Sequence, residues 1–225
     1  MTEELEKRDS FTFRNIFSPA HQYSLLGALA LLALAYVFEH YANLYELAYS
    51  ARPTSVAVGD LFLDNLPVVN LNLIIIEGAL LSIVLTLLYV LLRPRYLLFT
   101  LKALALFIVI RALFISLTHI GIYPGNIGPD EFGVFDGIYT YLNLQVGFFF
   151  SGHTGLPFLM ALIFWEKKNT RDVFLFLSFV FGIAVLLAHV HYSIDVFAAP
   201  FMAYGIFELA KRFFKNDYKL IETAP

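Results

Sequence analysis

Six apolar stretches, each close to the length that crosses a bilayer, dominate this 225-residue sequence. They fall at 22–39, 70–92, 97–120, 148–165, 172–190 and 192–212. A helical crossing needs about 20 predominantly apolar residues. Inside a bilayer every backbone N–H and C=O must be bonded within the protein, so only helices and closed barrels can span it. Barrel strands alternate apolar and polar residues, whereas Leu25–Leu34 and Leu80–Leu92 are continuous in hydrophobicity. The pattern therefore predicts an all-α, polytopic membrane protein: a six-helix bundle over 22–213, with segments 1–21 and 214–225 on either side.

Composition supports that reading and removes several function classes. Hydrophobic residues make up 59% of the chain and charged residues 15%, against about 25% charged in soluble domains. Too little charge is present to coat an independent soluble fold. Fifteen Lys and Arg against eighteen Asp and Glu give a net charge of −3, so no basic surface for nucleic acid is expected. The absence of Cys excludes disulfides, thiol nucleophiles and Cys-type zinc sites. The first stretch follows polar residues with four acidic groups and has no small-residue cleavage site after it, so it does not read as a cleaved signal.

Lys and Arg set the expected orientation. Lys7, Arg8 and Arg14 precede the first stretch; Arg93, Arg95 and Lys102 lie around the turn between the second and third. Lys167, Lys168 and Arg171 join the fourth and fifth, and Lys211, Arg212, Lys215 and Lys219 close the chain. With six crossings these thirteen share one side; Arg52 lies on the other and Arg111 inside the third span. Both termini are expected in the cytoplasm, in a plasma membrane if prokaryotic or a secretory-pathway membrane if eukaryotic. The longer connections, about 40–69 and 121–147, are expected outside. The first has amphipathic order and reads as a short interfacial helix. The second carries helix breakers such as Pro124, Gly125 and Pro129, and its aromatics read first as an interfacial belt.

Ionisable groups within spans are costly and need a reason. Two outer segments concentrate them. In Phe150-Ser151-Gly152-His153-Thr154, Ser151 is a candidate N-cap and Gly152 permits close approach to the backbone. A helix starting there presents free N–H groups to an anion, within reach of His153. In His191-Tyr192-Ser193-Ile194-Asp195, His and Asp four apart share a helix face. The carboxylate then fixes the imidazole tautomer, the orienter–base arrangement of catalytic triads. Each segment alone also reads as a capped helix or a helix-joining hydrogen bond. Together, on one side, two imidazoles and a carboxylate can flank one phosphate.

The other in-span groups read differently. Arg111 and Glu77 lie at similar depth and are expected to pair, with Arg111 also offering charge to a phosphate. Glu208 is expected to pair with Lys211 or Arg212. His189 and His191, two apart, are rotated roughly 200° from each other on a helix, so no metal site is expected. His189 instead ends the fifth span or lines the pocket.

Ser151–Thr154 together with His191–Val196 resembles the lipid-phosphatase and phosphotransferase superfamily of type 2 phosphatidic acid phosphatases, and within it the sphingomyelin synthase branch. Ala188-His189-Val190 and Ala198-Ala199 are also similar, and Arg111, Thr118 and Pro124 more loosely so. The chain departs from that pattern in places. Gln145-Val146-Gly147 stands where the branch has Cys-Gly-Asp, and Ala184-Val185 where the wider superfamily has Ser-Arg. Arg93-Pro94 resembles the superfamily's first motif but lies on the cytoplasmic side.

The resemblance implies a catalytic core over about 97–212, with His191 as nucleophile, Asp195 as its orienter and His153 as acid/base. Arg111, Ser151, Gly152, Thr154 and Tyr192 would contact substrate. It implies a phosphohistidine and neither metal nor organic cofactor. The partners would be a phospholipid donor and a lipid alcohol or water as acceptor. The expected function is lipid phosphotransfer on the extracytoplasmic side. The alternatives are a lipid phosphate phosphatase or phospholipase C-like hydrolase with the same site and, in another class, a non-catalytic transporter or scaffold.

Overall fold

A computed structural model describes residues 11–50, 52–127 and 147–222. Among these residues the secondary structure is helical, without strands. Six helices carry the architecture: α1 (Gln22–Ser50), α2 (Asn72–Leu92), α3 (Leu97–Leu117), α4 (Gly152–Ile163), α5 (Lys168–Leu187) and α6 (Ser193–Phe213). All but α4 are long and apolar enough to cross a membrane.

Two expectations need correction. The fourth span is expected over 148–165, yet α4 has 12 residues, about 18 Å at 1.5 Å per residue. That is short of the roughly 30 Å hydrocarbon core. The helix cannot extend backward because Phe149 (φ 73°) and Phe150 (φ 40°) adopt left-handed backbone conformations, which break a right-handed helix. Ser151 then begins α4, its Oγ accepting the Thr154 amide at 3.4 Å. The first span departs the other way. Its helix continues through 29 residues to Ser50, taking in part of the expected interfacial segment. The rest of that connection, 52–71, is an irregular strap. The glycines, prolines and aromatics expected to shape 128–146 lie outside the described residues.

Packing places α4 at the centre. It lies against α5 and α6, while α1 runs along α3. Close approach is written into small residues: a Cβ on Gly155 would meet the Phe107 ring at 3.0 Å and Ala199 at 3.6 Å. Phe99, Phe107, Phe150, Leu159, Phe164 and Phe174 fill the surrounding core. Large apolar side chains such as Leu26, Leu73, Phe176 and Phe201 point outward and are exposed. Such a surface requires an apolar surrounding.

Polar contacts lock both ends. Lys102 bonds Ser24 at 2.8 Å and pairs with Asp217, both members of the ion pair being largely buried. Lys211 pairs with Glu208 at 3.0 Å, as expected. At the other end the strap is stitched to the helix termini. The Val69 amide donates to Leu187 O at 2.8 Å, the Gly121 amide to Val56 O at 3.0 Å and the Ile127 amide to Ala188 O at 3.2 Å.

Candidate active site

The helix α5 ends in a defined way just before His191. The Val190 amide bonds Val185 O at 2.9 Å and the His189 amide bonds Leu186 O at 3.0 Å, the paired bonds of a Schellman motif. His189 occupies its left-handed position with φ 54°, so it does terminate the fifth span. Its imidazole is buried, edge-on to Tyr123, and among the described residues neither ring nitrogen has a hydrogen-bond partner. The chain then turns into α6, with Tyr192 at its N-cap.

Asp195, 1% exposed, organises His191 and the turn beside it. Its Oδ2 accepts from His191 Nδ1 and from the Tyr192 amide, both at 3.1 Å. Its Oδ1 accepts from the Phe149 amide at 3.1 Å. The Asp195 carbonyl accepts from the Ser151 amide at 2.9 Å. One residue thus fixes the His191 ring and the strained turn leading into α4. With Nδ1 engaged by Asp195, the second ring nitrogen of His191 is Nε2, on the opposite edge of the ring. Across from it stands His153, in the first turn of α4, with ring centroids 6.1 Å apart. The two imidazoles therefore converge on one space.

Arg111 of α3 supplies the positive charge. Its Nη1 bonds Glu39 Oε1 at 2.9 Å and its Nη2 reaches Gly147 O at 3.4 Å. The partner expected from the sequence is Glu77; the carboxylate that pairs is Glu39 of α1. The correction comes from packing, since α1 runs along α3 and brings Glu39 beside Arg111. Two glycines admit the guanidinium. Gly147 has φ 125°, and a Cβ there would meet Ile115 at 2.4 Å and Arg111 Nη2 at 3.1 Å. A Cβ on Gly152 would meet Arg111 Nε at 3.3 Å. Arg111 is thereby laid against the N-terminus of α4, where free amides already favour an anion.

The remaining sequence-predicted contacts divide. Ser151 is fully buried and acts as the N-cap of α4. Thr154 faces α5: its carbonyl accepts from Ser178 Oγ at 2.8 Å, and its hydroxyl lies beside Gly182, buried and without a partner. The Tyr192 hydroxyl donates to Gly121 O at 2.8 Å and accepts the Val58 amide at 3.3 Å. It joins the segment after α3 to the strap. Among the described residues no group of three or more His, Cys, Asp or Glu is placed to hold a metal.

Sequence reasoning misses Glu39, which sits at the very edge of the first apolar stretch. A buried arginine requires a counter-charge, and that requirement is the available signal. It also misses Asp60 and Asp64 in the strap. Burial pushes the Asp60 carboxyl up, but donation from the amides of Leu63, Ser193 and Phe62 outweighs it and holds the group below its ordinary range. The hydrogen bond to Asp64 raises the Tyr123 phenol to about 12.

A cavity of about 320 Å³ lies beside His153, Gly152 and Arg111. Glu39, Arg111 and His153 line it at one end; Leu32, Ile83 and Leu104 also line it. Leu32 and Leu104 each lie seven residues before Glu39 and Arg111, about 10 Å further along their helices. The cavity has Glu39 and Arg111 at one level of its lining and apolar side chains at another.

Comparison with known proteins bears on the same residues. Residues 148–212 match the family model described as PAP2 superfamily C-terminal. The match covers α4, α5 and nearly all of α6, including both histidines and Asp195. The matched segment is under a third of the chain, and over it the chain is similar to the C-terminal part of PAP2 superfamily proteins. No curated protein matches the chain.

Proposed function

We propose that this protein is a membrane-embedded lipid phosphotransferase of the sphingomyelin synthase type, working through a phosphohistidine. The observation that carries the reading is the Asp195-oriented His191 with its ring 6.1 Å from that of His153, which itself lines a largely apolar cavity together with Arg111 and Glu39. A phospholipid suits that cavity, with its phosphate near Arg111 and an acyl chain inside.

The reaction is two displacements. In the first, His191 Nε2 attacks phosphorus, the N–P bond forms and the P–O bond to the leaving alcohol breaks. His153, protonated, gives its proton to the leaving oxygen. Asp195 stabilises the charge that develops on the His191 ring. Arg111 and the amides at the start of α4 hold the phosphoryl oxygens. In the second, His153 takes the proton of a lipid alcohol, such as a ceramide or diacylglycerol, whose oxygen attacks phosphorus and releases His191. Orientation by Lys and Arg puts this chemistry on the extracytoplasmic side.

The superfamily's phosphatases favour a second reading, in which water is the acceptor. Expression in membranes with labelled phospholipid, with and without added ceramide or diacylglycerol, separates the two. Transfer predicts a labelled lipid product only with acceptor; hydrolysis predicts a water-soluble product regardless. Full activity in a His191→Ala variant would refute both.

A further inference from the structure

We propose that Asp60, in the strap between α1 and α2, is a positioning residue for the His191–Asp195 pair. The inference rests on the function proposed above for that pair. Helix α6 begins immediately after the His191-Tyr192 turn, and its first amides need acceptors. Asp195 turns back to take the Tyr192 amide at 3.1 Å. The Ser193 amide has no acceptor from its own N-cap side chain, because Tyr192 supplies none to it. Asp60 takes that place from 133 positions away, its Oδ2 accepting from Ser193 N at 2.7 Å. Its Oδ1 is held by the amides of Phe62 at 2.9 Å and Leu63 at 3.1 Å. Both oxygens are thus fixed, and the residue is 7% exposed.

The consequence is mechanical and electrostatic. A carboxylate at a helix N-terminus is favourable, and here it stabilises the first turn of α6, which carries Asp195. Asp195 in turn fixes His191 and the turn at Phe149. Asp60 therefore stands behind the nucleophile, acting through α6 without approaching the phosphate. It also lies outside the segment that matches the family model. Asp64 serves as an internal comparison. Its Oδ2 accepts the Asp60 amide at 3.2 Å and its Oδ1 holds Tyr123. It secures the strap, and its hydrogen bonds among the described residues go to the Asp60 amide and Tyr123 and not to α6.

Two substitutions distinguish holding the helix from folding the strap. Asp60→Asn turns an amide group either toward the Ser193 amide or toward those of Phe62 and Leu63; Asp64→Asn weakens the bonds to the Asp60 amide and to Tyr123 and leaves the Ser193 bond in place. Both are made in the full chain in nanodiscs and compared with wild type and His191→Ala. Hydrogen exchange of the 191–196 segment reads helix-start order without any substrate. Turnover of labelled phospholipid reads the chemistry. We expect Asp60→Asn to exchange at least tenfold faster in that segment and to lose tenfold or more in kcat. KM and the unfolding temperature should stay near wild type, and Asp64→Asn should match wild type in both readouts. Unchanged exchange or unchanged kcat in Asp60→Asn overturns the proposal. So does an equal effect of Asp64→Asn, or a loss carried by KM. If His191→Ala is as active as wild type, the proposed function fails, and the exchange comparison still decides whether Asp60 holds the start of α6.

Discussion

Replacing Asp195 by Asn removes one charge and one acceptor while keeping the shape, and the structure says how much that matters. The carboxylate has three N–H donors: Phe149 on Oδ1, and His191 and Tyr192 on Oδ2. An asparagine cannot accept from all three. With its amide group toward Phe149 it strands one buried donor, at about 1–3 kcal/mol. With the amide group toward His191 it strands Tyr192 and forces the tautomer that protonates Nε2, which abolishes the nucleophile. In the less costly orientation the tautomer survives but the charge is gone. At the 3.1 Å separation of His191 Nδ1 and Asp195 Oδ2 and an effective dielectric of about 20, Coulomb's law gives about 5 kcal/mol between unit charges. That interaction acts when attack on phosphorus leaves the ring positive, so it converts to roughly 10³–10⁴ in rate. Loss of the neighbouring carboxylate in a Ser-His-Asp triad costs a similar factor. The assay is single-turnover transfer of labelled headgroup phosphate in nanodiscs, with folded protein measured separately. We expect a 10³–10⁴-fold slower first step in Asp195→Asn and a modest drop in thermal stability. A rate within tenfold of wild type would refute the orienter role.

Other perturbations test neighbouring parts. Gly152→Ala places a methyl 3.3 Å from Arg111 Nε; we expect about a tenfold loss in kcat/KM with folding intact, read from steady-state transfer. Glu39→Gln leaves Arg111 without its counter-charge and should lower thermal stability by about 3–5 kcal/mol, the usual result of breaking a buried pair. Asp217→Ala removes the partner of Lys102 at the opposite end and should lower the unfolding midpoint while leaving kcat per folded molecule unchanged. The native Asp60 carboxyl lies below its ordinary range, so its contribution is complete above the carboxylate range and is lost as pH falls through it. Faster hydrogen exchange in the strap below about pH 4, diminished in Asp60→Asn, would show this.

The architecture is legible because span length is a strong constraint: apolar runs such as Leu80–Leu92 have few alternatives in a bilayer. The ends of the helices are less legible. Hydropathy counts Phe148–Phe150 as span, but their backbone leaves the helix, and nothing in three consecutive phenylalanines signals left-handed φ values. Tyr41–Ser50 looks interfacial, yet that segment continues α1. The pairing of His191 with Asp195 is expected from a shared helix face but arises differently: His191 lies before α6, and Asp195 in the first turn reaches back to it. The partner of Arg111 is not legible, since Glu39 and Glu77 both sit in apolar stretches and depth arithmetic cannot say which helix neighbours α3. Asp60 is invisible for a related reason: its role depends on a contact 133 residues away.

A covalent adduct at His191 is the centre of the proposed mechanism, and trapping that adduct tests it most directly. Membranes bearing the protein are mixed with ³²P-labelled phospholipid, quenched in alkali, where phosphohistidine survives, and digested for mass spectrometry. We predict one phosphoryl group, still bearing the donor's headgroup, on the peptide containing His191, formed more slowly in Asp195→Asn and missing in His191→Ala. Label on His153 instead, or label that persists without His191, would contradict the mechanism.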